Sequence, residues 1–432
     1  MRNFKILLFL KTVLFFSSVS INAGEIDVEL STKNLQKTVF VKEAFKYSNF
    51  EEGYRNKILD VLHFDLKNNG YCKIIDAQND ALFEIVLNYS KNSLNITATN
   101  KNSKLKPLTK SYLLFGDLCL DRKKIHNFND EFLNYFLQKT GIATKKILFC
   151  LKTSKKEKNK IKYFSDIWMS DYDGKNKIKI TENFGYCITP FFVPKKEKIK
   201  KVLFTSYKNG QPKLFVLSLN NPQKAVELIK LRGNQMLPSI SQSADKIAFI
   251  SDAAGRPDLF LQNFKKSGYL DGRPYQLFSK ARATQASPSI SPNGEEIAFV
   301  SDKDGPPRIY LLKIPSRNTF YKRRPQALLL TKKNRVNVSP CFSCDGKFLA
   351  YSAKTDGTRQ IWIYDFEKKT EQQLTFDKKN KENPHWAKDN LHIIYNTEDN
   401  NVAEIYIIDT NNRKPVKISQ GIGMKRFPSW EF

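Results

Sequence analysis

The chain has 432 residues, with 72 Lys and Arg against 43 Asp and Glu, giving a formal charge of +29; hydrophobic residues make up 41% and aromatics 12%. That length exceeds one ordinary globular core and calls for two domains or a repeat array, and the apolar content excludes a disordered polybasic chain. The charge points to nucleic acid, anionic lipid or an acidic protein as partner, without choosing among them.

In chain order, Arg2 and Lys5 precede an apolar run, Ile6 to Phe16, and small residues then lead to Ile21-Asn22-Ala23. This predicts a secretory signal peptide over residues 1–23, cleaved between Ala23 and Gly24, because the run is short for a helix of ~20 apolar residues that spans a bilayer. No later stretch is long and apolar enough to be a transmembrane segment. Export argues against nucleic acid. It also permits disulfides among Cys72, Cys119, Cys150, Cys187, Cys341 and Cys344, but the sequence selects no pairing.

Residues 24–144 read as a small α/β domain. Asn49 to Asn69 places Tyr54, Ile58, Val61, Leu62 and Leu66 at helical spacing, with Asn69-Gly70 as a stop. Tyr71 to Ile75, Ala81 to Tyr89 and Leu94 to Thr99 read as strands, and Phe128 to Leu137 as a second helix, which leaves His126 in a loop.

Residues 145–432 carry a repeat. Its units start at Pro190, Pro238, Pro288, Pro340, Pro384 and Pro428, separated by 48, 50, 52, 44 and 44 residues. Within the units a strand aromatic and a turn residue stand six apart: Phe204/Gly210, Phe249/Gly255, Phe299/Gly305, Tyr351/Gly357 and Tyr395/Asn401. Gly or Asn fixed at one turn position is what a hairpin requiring positive φ there would impose. Short strands at this period fit four-stranded propeller blades. Arg426-Phe427-Pro428-Ser429-Trp430 opens a unit that the chain does not complete, while strands around 147–181 lack a Pro-led start. Joining the two predicts an all-β six-bladed propeller closed by the C-terminal strand, and the whole chain as an α+β protein.

Reactive constellations are missing. The four histidines, His63, His126, His385 and His392, show no metal-ligand spacing, and there is no G-x-S-x-G elbow. No metal, cofactor or catalytic residue is expected. Cys341-Phe-Ser-Cys344 takes the places of Ser289 and Pro292 in the preceding unit, on a strand entering a turn, which favours a structural role. The runs Lys152 to Lys162 and Lys195 to Lys201 read as solvated loops, or as docking sites for an acidic surface. Asp171-Tyr-Asp173-Gly174 reads as a turn.

The order of these parts resembles the TolB family, the periplasmic component of the Tol-Pal system. The resemblance rests on the signal peptide, the α/β domain with Asp65-Leu-Lys-Asn-Asn-Gly70, the Ser170-Asp-Tyr-Asp-Gly174 stretch, and the six-unit propeller ending in Phe427-Pro-Ser-Trp430. It implies a periplasmic, non-enzymatic interaction protein that supports outer-membrane integrity and constriction during cell division. Its propeller would bind the peptidoglycan-associated lipoprotein Pal through the residues before the Pro-led strands: Thr189, Met236, Leu237, Ala286, Ser287, Val338, Ser339, Asn383, Arg426 and Phe427. An N-terminal strand, Glu25, Ile26, Asp27, Val28, Glu29 and Leu30, would contact a TolA-like inner-membrane protein by strand addition. The same segment also reads as the domain's own first strand. An anionic envelope surface is a further partner the charge would suit. The alternatives are a propeller binding glycan or anionic lipid, and an enzyme-associated propeller of the prolyl-oligopeptidase kind without its catalytic domain.

Overall fold

Seven sheets, two α-helices and one turn of 3-10 helix (Gln78–Asp80) make up the elements of a computed structural model that describes residues 36–157, 160–194, 199–265, 269–316, 324–399 and 401–432. The expected signal peptide with its expected cleavage site Ala23/Gly24, and the segment Glu25–Leu30, lie outside the described residues. All six cysteines are free thiols. Among the described residues no helix is long and apolar enough to cross a membrane.

The first sheet contains β1 (Lys37–Ser48), β2 (Cys72–Ile74), β3 (Phe83–Lys91), β4 (Ser93–Asn100) and β5 (Leu108–Leu113), in the order β2-β1-β3-β4-β5. β1 runs parallel to both neighbours, and β3 to β5 form an antiparallel meander. Along β3 every second residue is buried, from Phe83 through Ile85 and Leu87 to Tyr89, as a strand with one face on a core requires. That face packs against α1 (Glu52–Lys67) through Ile58, Leu62 and Leu66, and α2 (Leu118–Leu137) through Ile125, Phe128 and Phe132. β1 and β5 had no counterpart in the sequence reading. α2 begins ten residues before the expected Phe128, so His126 is helical and buried, not in a loop.

The remaining six sheets are the blades. The first takes β6 (Lys146–Glu157), β7 (Lys160–Asp171) and β8 (Ile178–Lys179). The second has β9 (Cys187–Phe192), β10 (Lys201–Ser206), β11 (Lys213–Ser218) and β12 (Asn221–Glu227); the third, β13 (Gln235–Ile240), β14 (Lys246–Ser251), β15 (Asp258–Phe264) and β16 (Leu270–Phe278). The fourth has β17 (Gln285–Ile290), β18 (Glu296–Ser301), β19 (Arg308–Lys313) and β20 (Ala327–Leu329); the fifth, β21 (Asn337–Phe342), β22 (Phe348–Thr355), β23 (Thr358–Asp365) and β24 (Thr370–Gln373). The sixth has β25 (Asn380–Trp386), β26 (His392–Glu398), β27 (Ile405–Asp409) and β28 (Val416–Lys417). The last strand, β29 (Met424–Trp430), returns to pair antiparallel with β6, Met424 opposite Lys152 and Trp430 opposite Ile147. The ring is therefore closed by the C-terminus, which leaves no long unpaired edge between first and last blade.

The repeated aromatics stack across the second and third strands of their blades: Phe204 on Phe215, Phe249 on Phe260, Tyr395 on Tyr406. Gly210, Gly255, Gly305, Gly357 and Asn401 all have positive φ, between 69° and 109°. A Cβ at Gly305 would meet nothing within 4 Å, so backbone conformation alone, not space, selects glycine there. Within the Lys152 to Lys162 stretch, residues 152–157 and 160–162 are not loop but the paired outer parts of β6 and β7.

Candidate functional site: the channel and the domain joint

The innermost strands of the six blades line the central channel, and each carries the same irregularity. Thr189, Leu237, Ser287, Ser339, Asn383 and Phe427, the residues before the six prolines, all have φ between 43° and 53°. At each, the ladder to the second strand shifts register, two residues opposing one. This is a β-bulge with its first residue in the left-handed region, repeated around the axis in residues other than glycine. Proline follows because the bulge removes the ladder bond its missing N–H would have made.

Those six residues line one continuous cavity with five of the prolines, Pro190 excepted, the apolar rings of Phe191, Trp386 and Phe432, and the hydroxyls of Ser239, Ser289 and Ser343. Its lining contains no Asp, Glu, Lys or Arg, although the chain carries +29. Of the ten propeller residues read from the sequence, the structure brings these six together. Met236, Ala286 and Val338 instead pack, half-buried, against the blade cores. Arg426 is held by Glu398, its Nε donating at 2.7 Å.

The residue after five of the six prolines, all but Phe191, ties neighbouring blades. The backbone N–H of Ile290 donates to Ser239 Oγ at 3.0 Å, that of Phe342 to Ser289 Oγ at 3.1 Å, and that of Trp430 to His385 Nδ1 at 3.3 Å. Cys341 occupies the same place and its sulfur accepts from the Trp386 N–H. Burial pushes the Cys341 thiol up to about 12 and the Cys344 thiol to about 11, so both stay protonated and the C-x-x-C pair serves as wall, not as redox centre.

His385 must be neutral to accept at Nδ1, and burial lowers its pKa to about 4. With the unfolded value near 6.5, the folded chain binds fewer protons between these limits. The stabilising contribution is present above pH ~6.5 and is lost as pH falls towards 4, by up to ~1.4 kcal/mol per unit. Urea unfolding at neutral and mildly acidic pH should therefore show a flatter acid limb for His385→Gln than for the parent; equal slopes would refute this assignment.

A second polar cluster lies where the α/β domain meets the first blade. Tyr172 and Asp173, in the turn after β7, face α1 and α2. The Tyr172 hydroxyl donates to Asp65 Oδ1 at 2.5 Å, His126 Nδ1 bonds Asp65 Oδ2 at 2.8 Å, and Arg122 pairs with Asp173. Burial pulls the His126 pKa down, but the charge and hydrogen bond of Asp65, together with the charge of Asp173, overcome it, and the net shift is upward. Burial raises Asp65, against the pull of His126. His126 Nε2 has no hydrogen-bond partner and lies 3.8 Å from Asp173 Oδ2. His126, Asp171 and Asp173 offer ligand atoms close enough to share a cation, but Arg122 and Lys146 already pair with the two carboxylates. A parallel contact joins the last blade: His392 bonds Asp389 through Nδ1 and donates Nε2–H to the Asn68 carbonyl at 2.9 Å. Gly70 has φ 76°, and a Cβ there would stand 2.4 Å from Leu391 Cδ2. The sequence reading had taken the Asp171–Gly174 stretch as a turn only.

These features define a β-propeller carrying an N-terminal α/β domain, with a channel cavity whose lining holds no charged side chain and a buried polar joint. Residues 135–432 match the family described as the TolB beta propeller domain. A TolB homolog of Protochlamydia amoebophila is 39% identical over 85% of this chain and 83% of its own length, and one of Chlamydia pneumoniae is 37% identical over 74% and 72%. The crystal structure of TolB from Acinetobacter baumannii superimposes with a TM-score of 0.69 over 91% of this chain and 96% of that one, at 15% identity, and so shares its fold. The chain belongs to the TolB family.

Proposed function

We propose that the chain is a periplasmic, non-enzymatic docking protein of the Tol-Pal system, with residues 1–23 as signal peptide, 24–144 as the α/β domain and 145–432 as the propeller. The propeller receives a loop of a Pal-like lipoprotein at its channel, and residues 25–30 engage a TolA-like inner-membrane partner. One observation carries this reading: six left-handed bulges ring an uncharged, apolar and hydroxyl-lined channel, a preformed receptor for a neutral loop. Membership of the TolB family supports it.

The test is capture of a soluble Pal-like domain by the mature chain. Ser287→Trp, filling the channel, should weaken capture more than tenfold, as for a central contact of an interface. Because the lining is uncharged, capture should fall little with added salt. Deleting residues 25–30 should abolish binding of the TolA-like partner alone. Retention on peptidoglycan with no capture of the lipoprotein would overturn the proposal.

A further inference from the structure

The β6–β7 hairpin is the longest of its kind among the blades, whose matching strands have five to eight residues. Each strand has twelve residues, where β10 and β14 have six. The extra six residues extend it by about 20 Å. β8 pairs only with Trp168 and Met169, and the β29 ladder ends at Lys152. Beyond Lys152 and Ser165 the hairpin is, among the described residues, a two-stranded ribbon with both edges open, an arrangement marginally stable in water by itself.

Its composition is that of an interfacial element. Residues 151–163 hold six lysines and one acid. The pairs Ser154/Tyr163 and Lys156/Ile161 share one face, since side chains alternate along each strand. On that face Ile161 is 62% and Tyr163 54% exposed, and the Lys152 ammonium sits 4.2 Å from the Tyr163 ring centroid. Lys155, Lys160 and Lys162 stand exposed on the other face. The ribbon thus places an apolar stripe between ammonium groups.

We propose that this ribbon docks on a bilayer surface bearing anionic phospholipid, with Ile161 and Tyr163 at the acyl boundary and the lysines on headgroup phosphates. A cluster of this size near a membrane is attracted by about 1 kcal/mol per lysine, roughly fivefold in affinity each. Tyrosine and lysine both suit an interface whose polarity changes over a few ångströms. The channel, being uncharged, leaves the ribbon to supply this electrostatic contact, so the inference does not rest on the lipoprotein reading.

Sedimentation of the mature chain with extruded vesicles tests this. The parent should bind phosphatidylethanolamine–phosphatidylglycerol vesicles, more weakly as salt rises, and not phosphatidylcholine vesicles. Combining Lys155→Gln, Lys156→Gln, Lys160→Gln and Lys162→Gln should cost about 100-fold or more. Ile161→Ser with Tyr163→Ser should cost about tenfold, and Tyr163→Trp should shift its emission to the blue on vesicles. These are exposed sites, and an unchanged urea-unfolding midpoint for each variant reports that the propeller has folded. Equal partitioning onto neutral and anionic vesicles overturns the proposal. So does vesicle binding that survives the four lysine changes, or binding confined to acidic polypeptide or DNA; lysines acting only to keep open edges from aggregating give no vesicle binding at all.

Discussion

A chain ending at Gly423 is expected not to yield a monomeric propeller. It lacks β29, the strand that bonds β6 and, through the Ser429 hydroxyl, the Pro190 carbonyl at 2.7 Å on the second blade. Its loss exposes the inner edge of β6 and removes Trp430, 1% exposed and packed with Ile147, Tyr172, Ile394 and Ile405. The point substitution isolates the packing part: Trp430→Ala should cost about 3–5 kcal/mol, as for large aromatics removed from a core. Urea unfolding reads the substitution, and light scattering reads the truncation. A monomeric truncated chain with a cooperative transition at the parental midpoint would show that five complete blades suffice.

Arg122→Ala is the second large effect, expected at about 3–5 kcal/mol, because it leaves the Asp173 carboxylate buried without its cation. The partner substitution Asp173→Asn should be less costly, since the amide keeps acceptor capacity and carries no charge. Combining both should recover part of the loss, a coupling that thermal unfolding of the four proteins would measure. Additive losses would mean that the pair does not hold the joint. Tyr172→Phe belongs to the same test: it removes one donor from Asp65 and should cost about 1.5–3 kcal/mol, the range for a hydrogen bond to a charged group.

The blades were legible because their signal is local. Aromatics six residues before a Gly or Asn mark each hairpin, and the positive φ of Gly210, Gly255, Gly305, Gly357 and Asn401 is a demand that residue type reveals. Closure by the C-terminal strand was legible from an incomplete unit at each end. The joint was hidden for a physical reason. The first half of α2 buries Asp121, Arg122, His126 and Asn129, so its inward face is polar and the apolar periodicity that betrays a helix is absent where the helix meets the propeller. The channel bulges were hidden too. Thr, Leu, Ser, Asn and Phe carry no common preference for the left-handed region, and the ring imposes it on them. The Lys-rich stretch was misjudged because charge suggested loop, whereas Ile161, Tyr163 and Phe164 carry the strand propensity.

The joint also has a place in time. Tyr172 and Asp173 sit in the one blade whose inner strand is β29, so their blade stays unfinished until residues 146 and 431 meet. Contacts so distant in sequence form slowly, while the α/β domain, complete by residue 137, has only local partners to find. The domain is thus expected to order before the ring closes, and its Asp65 and Arg122 then meet a turn that locks in only as the circle completes.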